Sequence, residues 1–112
     1  MTNVILYCRV SSDEQVDGTS LDHQEKTLRE YCRYKGYNII KCCREDYSAK
    51  YHDFRRPEMK WILNYCKKHK NEVDLILFLR WDRFSRNPEF AHAFKRIFMD
   101  EMGINFNAIE NP

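Results

Sequence analysis

The chain has no long apolar run: the longest, Val73 to Leu79, is interrupted by Asp74. Spanning a bilayer takes roughly 20 mainly apolar residues, so a transmembrane helix is excluded. Charge of one sign is also scarce. The net charge is +2 at pH 7, from 19 basic and 17 acidic residues, and any positive field offered to a polyanion has to be local. Paired cysteine spacing is missing. The five cysteines, Cys8, Cys32, Cys42, Cys43 and Cys66, are odd in number, and the opening MTNVILYCRVSS lacks the basic stretch and cleavage site of a secretory leader. These features predict reduced thiols in a cytoplasmic compartment. With three glycines and three prolines there is no linker or low-complexity stretch, and no segment repeats.

What is present is enough for one ordered domain. The 112 residues are 43% hydrophobic and 14% aromatic, and a chain of this size buries about two thirds of its unfolded surface on folding. Val4-Ile5-Leu6-Tyr7 reads as an opening strand from Asn3 to Tyr7, followed by a polar loop. Ser20 caps a predicted helix from Leu21 to about Lys35, with Leu21, Leu28, Tyr31 and Cys32 on one face and Gly36 as its stop. Tyr37 to Cys43 reads as a second strand. After a polar loop from Asp46 to Arg55, Pro57 opens a helix with Met59, Ile62, Leu63 and Cys66 at i, i+3, i+4 and i+7. Leu75 to Leu79 has the continuous apolar character of a strand buried on both faces. A third polar loop, Arg80 to Asn87, leads to Pro88 and a helix carrying Phe90, Phe94, Ile97 and Phe98. Gly103 ends it, and Ile104 to Ile109 is the last strand.

The alternation β-α-β-α-β-α-β predicts an α/β fold: a mainly parallel, open sheet flanked by helices. Ligand sites in such sheets gather at the loops beyond the carboxyl ends of the strands. Those loops carry Arg9 and Ser11, then Ser48 and Arg56, then Arg83, Ser85 and Arg86. Guanidinium groups bind phosphate bidentately and stay charged, so convergence of Arg9, Arg56, Arg83 and Arg86 around Ser11 would make an anion site with a candidate nucleophile. Each loop alone is weak evidence, since an arginine in a loop is more often a solvated surface charge and a serine after a strand is usually a helix cap.

Tyr7-Cys8-Arg9-Val10-Ser11-Ser12, then Ser20-Leu21-Asp22-His23-Gln24, then Asp82-Arg83-Phe84-Ser85-Arg86-Asn87 resemble the signatures of the serine recombinases, the family of resolvases, invertases and large serine integrases. The likeness covers nearly the whole chain in order, with Asp46-x-Ser48 and Arg56-Pro57 between the outer motifs. The spellings Arg55-Arg56-Pro57 and Asp82 to Asn87 lean toward the integrase and transposase branch. The resemblance implies a resolvase-like catalytic domain acting on double-stranded DNA without a metal or any other cofactor. Ser11 would attack the phosphodiester and become joined to the 5′ phosphate. Arg9, Arg56, Arg83 and Arg86 would surround that phosphate, Asp82 would orient neighbouring arginines, and Tyr7, Gln24 and Ser48 would support the site. Self-association is implied too, as a dimer and a synaptic tetramer of the intact protein.

The sequence departs from the family pattern at Cys8, where alanine is frequent, at Ala49, where glycine is frequent, and at Trp81 beside Asp82. Ser12 is a rival nucleophile by adjacency, and the motif favours Ser11. Family members continue into a long dimer helix and a separate DNA-binding domain, so the expectation is a catalytic domain, residues 1–112, cut from a longer protein. That would also account for the weak net charge, since affinity for a target would come from the missing parts.

Several features have plainer readings. Cys66-x-x-His69 with Cys42-Cys43 has the makings of a zinc site. However, Cys66 continues an apolar helix face, and adjacent cysteines on a strand point to opposite sides, so buried thiols are expected. Lys67-Lys68-His69-Lys70 is a basic helix end that complements the dipole. The one histidine in the motifs, His23, lies in Ser20 to Gln24, and none stands in the segments of Ser11 or the arginines, which disfavours a Ser-His-Asp arrangement. Two rival functions are a non-catalytic module that keeps the fold and another phosphate-handling α/β enzyme. The complete serine and arginine set argues against the first. The lack of a P-loop or a Cys-x-x-x-x-x-Arg loop argues against the second.

Overall fold

A computed structural model describes residues 1–10, 20–46, 56–84 and 88–110, except for the side chain of Asp82. Four strands, β1 (Asn3–Val10), β2 (Asn38–Asp46), β3 (Leu75–Phe78) and β4 (Asn105–Ala108), form one sheet in the order β2-β1-β3-β4. All three strand pairings are parallel, as the alternating elements predicted. The helices are α1 (Leu21–Lys35), α2 (Pro57–Lys68), a short α3 (Trp81–Phe84) and α4 (Pro88–Lys95), which continues as a π-helix over Arg96–Glu101.

The helix boundaries follow from capping chemistry. Ser20 Oγ accepts the backbone N–H of His23 at 3.1 Å, satisfying a donor that α1 cannot. Gly36 ends α1 in the left-handed region, φ 74°, and its N–H reaches back to the carbonyls of Arg33 and Cys32. Pro57 occupies the first turn of α2, where its missing N–H costs nothing.

The sheet separates two apolar layers. On one face, α1 buries Leu28 and Cys32 against Val4, Leu6, Cys8 and Leu77. On the other, α2, α3, α4 and the π-helix bury Met59, Ile62, Cys66, Phe84, Phe90, Phe94 and Phe98 against Ile5, Tyr7, Cys43, Ile76, Phe78 and Phe106. Each large side chain so buried is worth roughly 1.5–3 kcal/mol. Cys42 and Cys43 do face opposite layers, and Cys66 is fully buried in the second. Among the described residues, no group of three or more histidine, cysteine or acidic side chains is placed to hold a metal ion. No described helix is long and apolar enough to cross a membrane.

The expected boundaries need three corrections, and each bears on the site. The first strand runs to Val10 rather than Tyr7, and the second to Asp46 rather than Cys43. The cause is backbone pairing, which continues through Cys8↔Arg44, Arg9↔Glu45 and Val10↔Asp46 after the apolar residues run out. Arg9 therefore sits on a strand, not in a loop. The third polar segment is not a plain loop either: Trp81 to Phe84 forms α3. Trp81 is edge-on to Phe78 and Phe106 at 4.9 and 5.7 Å, and Phe84 stacks on Phe78 at 4.8 Å, so two aromatic anchors fold that turn onto the sheet.

Candidate active site

Strand alternation and the order of the sheet bring the arginines together. Ile5 and Tyr7 point into the layer beneath α2 and α3, and Arg9, two residues on, follows the same face. The connection from β1 leaves toward β2 and that from β3 leaves toward β4. The carboxyl ends of β1 and β3 therefore flank the crevice where such sheets bind ligands. Arg9 ends β1, Arg83 lies in α3 just past β3, and Arg56 arrives at the start of α2.

All three guanidinium-bearing residues are buried, Arg9 and Arg56 at 0% exposure and Arg83 at 1%. Burying a cation is costly unless hydrogen bonds replace its water. Backbone carbonyls of α3 supply part of that replacement. Arg9 Nε donates to the carbonyl of Arg83 at 2.9 Å, and Arg56 Nη1 donates to the carbonyl of Phe84 at 2.5 Å. The third motif thus contributes its backbone as well as the Arg83 side chain: its carbonyls hold Arg9 of the first motif and Arg56 of the Arg56-Pro57 pair. Arg56 also lies over the Phe90 ring, 5.1 Å from its centroid.

Two uncharged groups complete the frame. The Gln24 side chain pairs with the backbone of Arg9 at both ends. Its Oε1 accepts the Arg9 N–H at 3.1 Å and its Nε2 donates to the Arg9 carbonyl at 2.9 Å. Tyr7 Oη accepts from Arg56 Nη1 at 3.3 Å and donates to Glu45 Oε1 at 2.6 Å. Burial, reinforced by the Glu45 carboxylate, pushes the Tyr7 phenol well above its ordinary range despite the opposing pull of Arg56. It stays protonated and serves as a hydrogen-bonding group.

Of the predicted site residues, the structure therefore gathers Arg9, Arg56, Arg83, Tyr7 and Gln24. Ser11, Ser48 and Arg86 lie outside the described residues, as do Ser12, Ala49 and the side chain of Asp82. Glu45 was not among the expected residues. It is 5% exposed, and the signal for it was a carboxylate two residues after Cys43, at the position where a strand continuing with period two has to bury its side chain.

Cys8, the departure inside the first motif, faces the α1 layer, with its Sγ 4.0 Å from that of Cys42. This contact, together with burial, holds the Cys8 thiol above its ordinary range. It lies on the opposite side of the sheet from Tyr7. A surface concavity of about 430 Å³ beside α1, lined by Asp22, Glu25, Lys26, Arg29, Glu30, Arg33 and Arg44, is also away from the arginines. There Arg44 bridges Asp22 and Glu25 at 2.7 Å each, and Arg29 meets Glu25 at 2.8 Å. Those charges neutralise one another on the surface and offer an anion little.

Comparison with known proteins identifies the family and relatives of the fold. The family model described as resolvase, N-terminal domain, matches residues 4–112. The fold is similar to that of the N-terminal catalytic domain of TP901-1 integrase, with a TM-score of 0.80 and 24% identity over 96% of this chain and 77% of that one. It is equally similar to a resolvase family site-specific recombinase from Streptococcus pneumoniae, with a TM-score of 0.80 and 23% identity over 99% of this chain and 74% of that one. The C-terminal catalytic domain of ISC1926 TnpA, an IS607-like serine recombinase, matches with a TM-score of 0.76 and 23% identity over 98% of this chain and 71% of that one. Comparison with curated protein sequences returns no match.

Proposed function

Because the chain belongs to the serine recombinases, the family of the resolvase N-terminal domain, we propose that it cuts and rejoins double-stranded DNA through Ser11. The Ser11 hydroxyl oxygen attacks a backbone phosphorus. The O–H bond of Ser11 gives up its proton as a bond from that oxygen to the 5′ phosphate forms, the bond from phosphorus to the 3′ oxygen breaks, and the departing 3′ oxygen takes up one proton, so that none is gained or lost overall. One phosphoester replaces another, so the bond energy is kept for rejoining and no nucleotide is consumed. Metal ions have no part in this reading, because the arginines supply the positive charge.

The observation that carries the proposal is the packing of Arg9, Arg56 and Arg83 at the carboxyl ends of β1 and β3, with Arg9 two residues before Ser11. Pre-positioned cations there stabilise the charge that accumulates on phosphate oxygens as the new bond forms. Arg86 joins them by its place in the third motif, Asp82 orients its neighbours, and Ser48 supports the second segment. Strand exchange requires more than one active site, so the working form is a dimer that pairs into a tetramer, in the cytoplasm and on DNA.

The test is a trapped intermediate. The natural gene product is incubated in EDTA with DNA flanking its own gene, denatured, and examined for a covalent protein–DNA adduct that is located by peptide mapping. An adduct at Ser11 through a 5′ phosphate is the expected result. Confirmed DNA binding with no adduct under trapping conditions would leave a non-catalytic module that keeps the fold.

A further inference from the structure

Glu45 is a buried carboxylate with a hydrogen-bond donor at each oxygen. Its Oε1 accepts the Tyr7 hydroxyl at 2.6 Å, and its Oε2 accepts the backbone N–H of Glu58 at 2.8 Å. The second bond does the work of a helix cap. Arg56, at the cap position of α2, makes no side-chain cap hydrogen bond, and the orphan N–H of Glu58 is satisfied from the neighbouring strand instead. The first bond fixes a proton. Tyr7 Oη donates to Glu45 Oε1, so its hydrogen is held toward Glu45 and an oxygen lone pair is turned toward Arg56 Nη1 at 3.3 Å.

We propose that Glu45 is a positioning residue of the active site, which sets the Arg56 guanidinium through Tyr7 while tying the start of α2 to β2. The inference rests on the recombinase reading for what Arg56 does, and not for the arrangement itself. Arg56 is then held between the carbonyl of Phe84 on one side and an oriented phenol oxygen on the other. One carboxylate thereby links three segments that carry site residues: β1, the end of β2 and the first turn of α2.

Glu45→Gln discriminates, because the amide has one acceptor and one donor group where two donors must be met. Either Tyr7 or Glu58 loses its acceptor. If it is Tyr7, the phenol proton turns and competes with Arg56. Tyr7→Phe removes the bridge while keeping the ring.

The first measurement needs no DNA. In NMR spectra of the 112-residue chain, Glu45→Gln and Tyr7→Phe are each expected to shift the Arg56 guanidinium signals, and the slowly exchanging Tyr7 hydroxyl signal is lost in Glu45→Gln. Unchanged Arg56 signals in both variants would overturn the proposal. Tyr7→Phe alone decides it if Glu45→Gln does not fold.

The second is a cleavage cycle in the natural gene product with its DNA. Each single change is expected to slow adduct formation by on the order of ten- to a hundredfold. In the Tyr7→Phe background, Glu45→Gln should add less than about twofold, because the relay is already broken. Fully multiplying effects would show that Glu45 acts only as a cap, and would sink the relay. A wild-type protein that forms no adduct defeats the recombinase reading, and the NMR arm still decides the relay.

Discussion

The side chain of Gln24 pairs with the backbone of Arg9 as another strand would, accepting its N–H at 3.1 Å and donating to its carbonyl at 2.9 Å. Both partners are fully buried. Gln24 thus fixes the peptide of a site arginine two residues before Ser11, from the first turn of a helix that Ser20 caps. Gln24→Ala strips both bonds and leaves buried backbone groups unsatisfied, a cost of about 1–3 kcal/mol for each group that finds no replacement. A urea melt should register that loss with an unchanged m-value, and adduct formation should slow more than DNA binding weakens. A Gln24→Ala protein with wild-type stability and rate would show that the pairing matters to neither.

Arg9 and Arg83 are coupled in a different sense, since the guanidinium of one is held by the carbonyl of the other at 2.9 Å. Arg9→Lys keeps the charge and loses the planar fork that meets the Arg83 carbonyl and, in the proposed reaction, would meet a phosphate oxygen. Cleavage is expected to fall by about 10²–10³-fold, the usual scale for one transition-state donor. Arg83→Lys should behave similarly in rate while leaving the backbone bond to Arg9 in place. Single-turnover cleavage under saturating DNA checks both, and near-normal rates would remove these residues from the chemistry.

The layer order and the core were readable from periodicity, because Leu28 and Cys32, or Met59, Ile62 and Cys66, fall on single helix faces that a sheet must cover. The site was less so. Arg9 and Glu45 belong to strands whose last turns carry charge, and hydropathy cannot report pairing that backbone hydrogen bonds alone sustain. Trp81 looked like an oddity beside Asp82 and proves to be an anchor for α3, which only the position of Phe78 and Phe106 in the sheet explains. The motifs named Arg9, Arg56 and Arg83. They did not show that the carbonyls of Arg83 and Phe84 hold the other two arginines, because a motif records side chains and not the peptide groups between them.

Phe84 makes that point testable. Its ring stacks on Phe78 at 4.8 Å and on Phe90 at 5.8 Å and is edge-on to Phe94 at 5.0 Å, while its carbonyl accepts from Arg56. Phe84→Ala should cost about 3–5 kcal/mol of stability, as deletion of a buried aromatic does. Phe84→Leu should cost less and retain the carbonyl contact. If the ring acts on the site by placing that carbonyl, cleavage at a temperature where both variants are folded should order as wild type, then leucine, then alanine. Equal rates in the two variants would separate core packing from the site.

Alkaline pH provides a check on the core itself. Burial pushes the thiols of Cys43 and Cys66 up to about 12, and the Tyr7 phenol is raised as well. A raised folded-state value means that the native protein holds its proton where the unfolded chain has released it. The sign is therefore fixed: stability is fully present below the unfolded thiol range and declines as pH rises from about 9 toward 12. Each such group steepens the decline by about 1 kcal/mol per pH unit within that window. Cys66→Ala lowers stability at neutral pH by removing a packed thiol, and its curve above about pH 9 should be correspondingly shallower than wild type. Equilibrium unfolding across pH 7 to 11 reads both effects, and parallel curves for the two proteins would mean that Cys66 ionises as readily in the native state as in the unfolded chain.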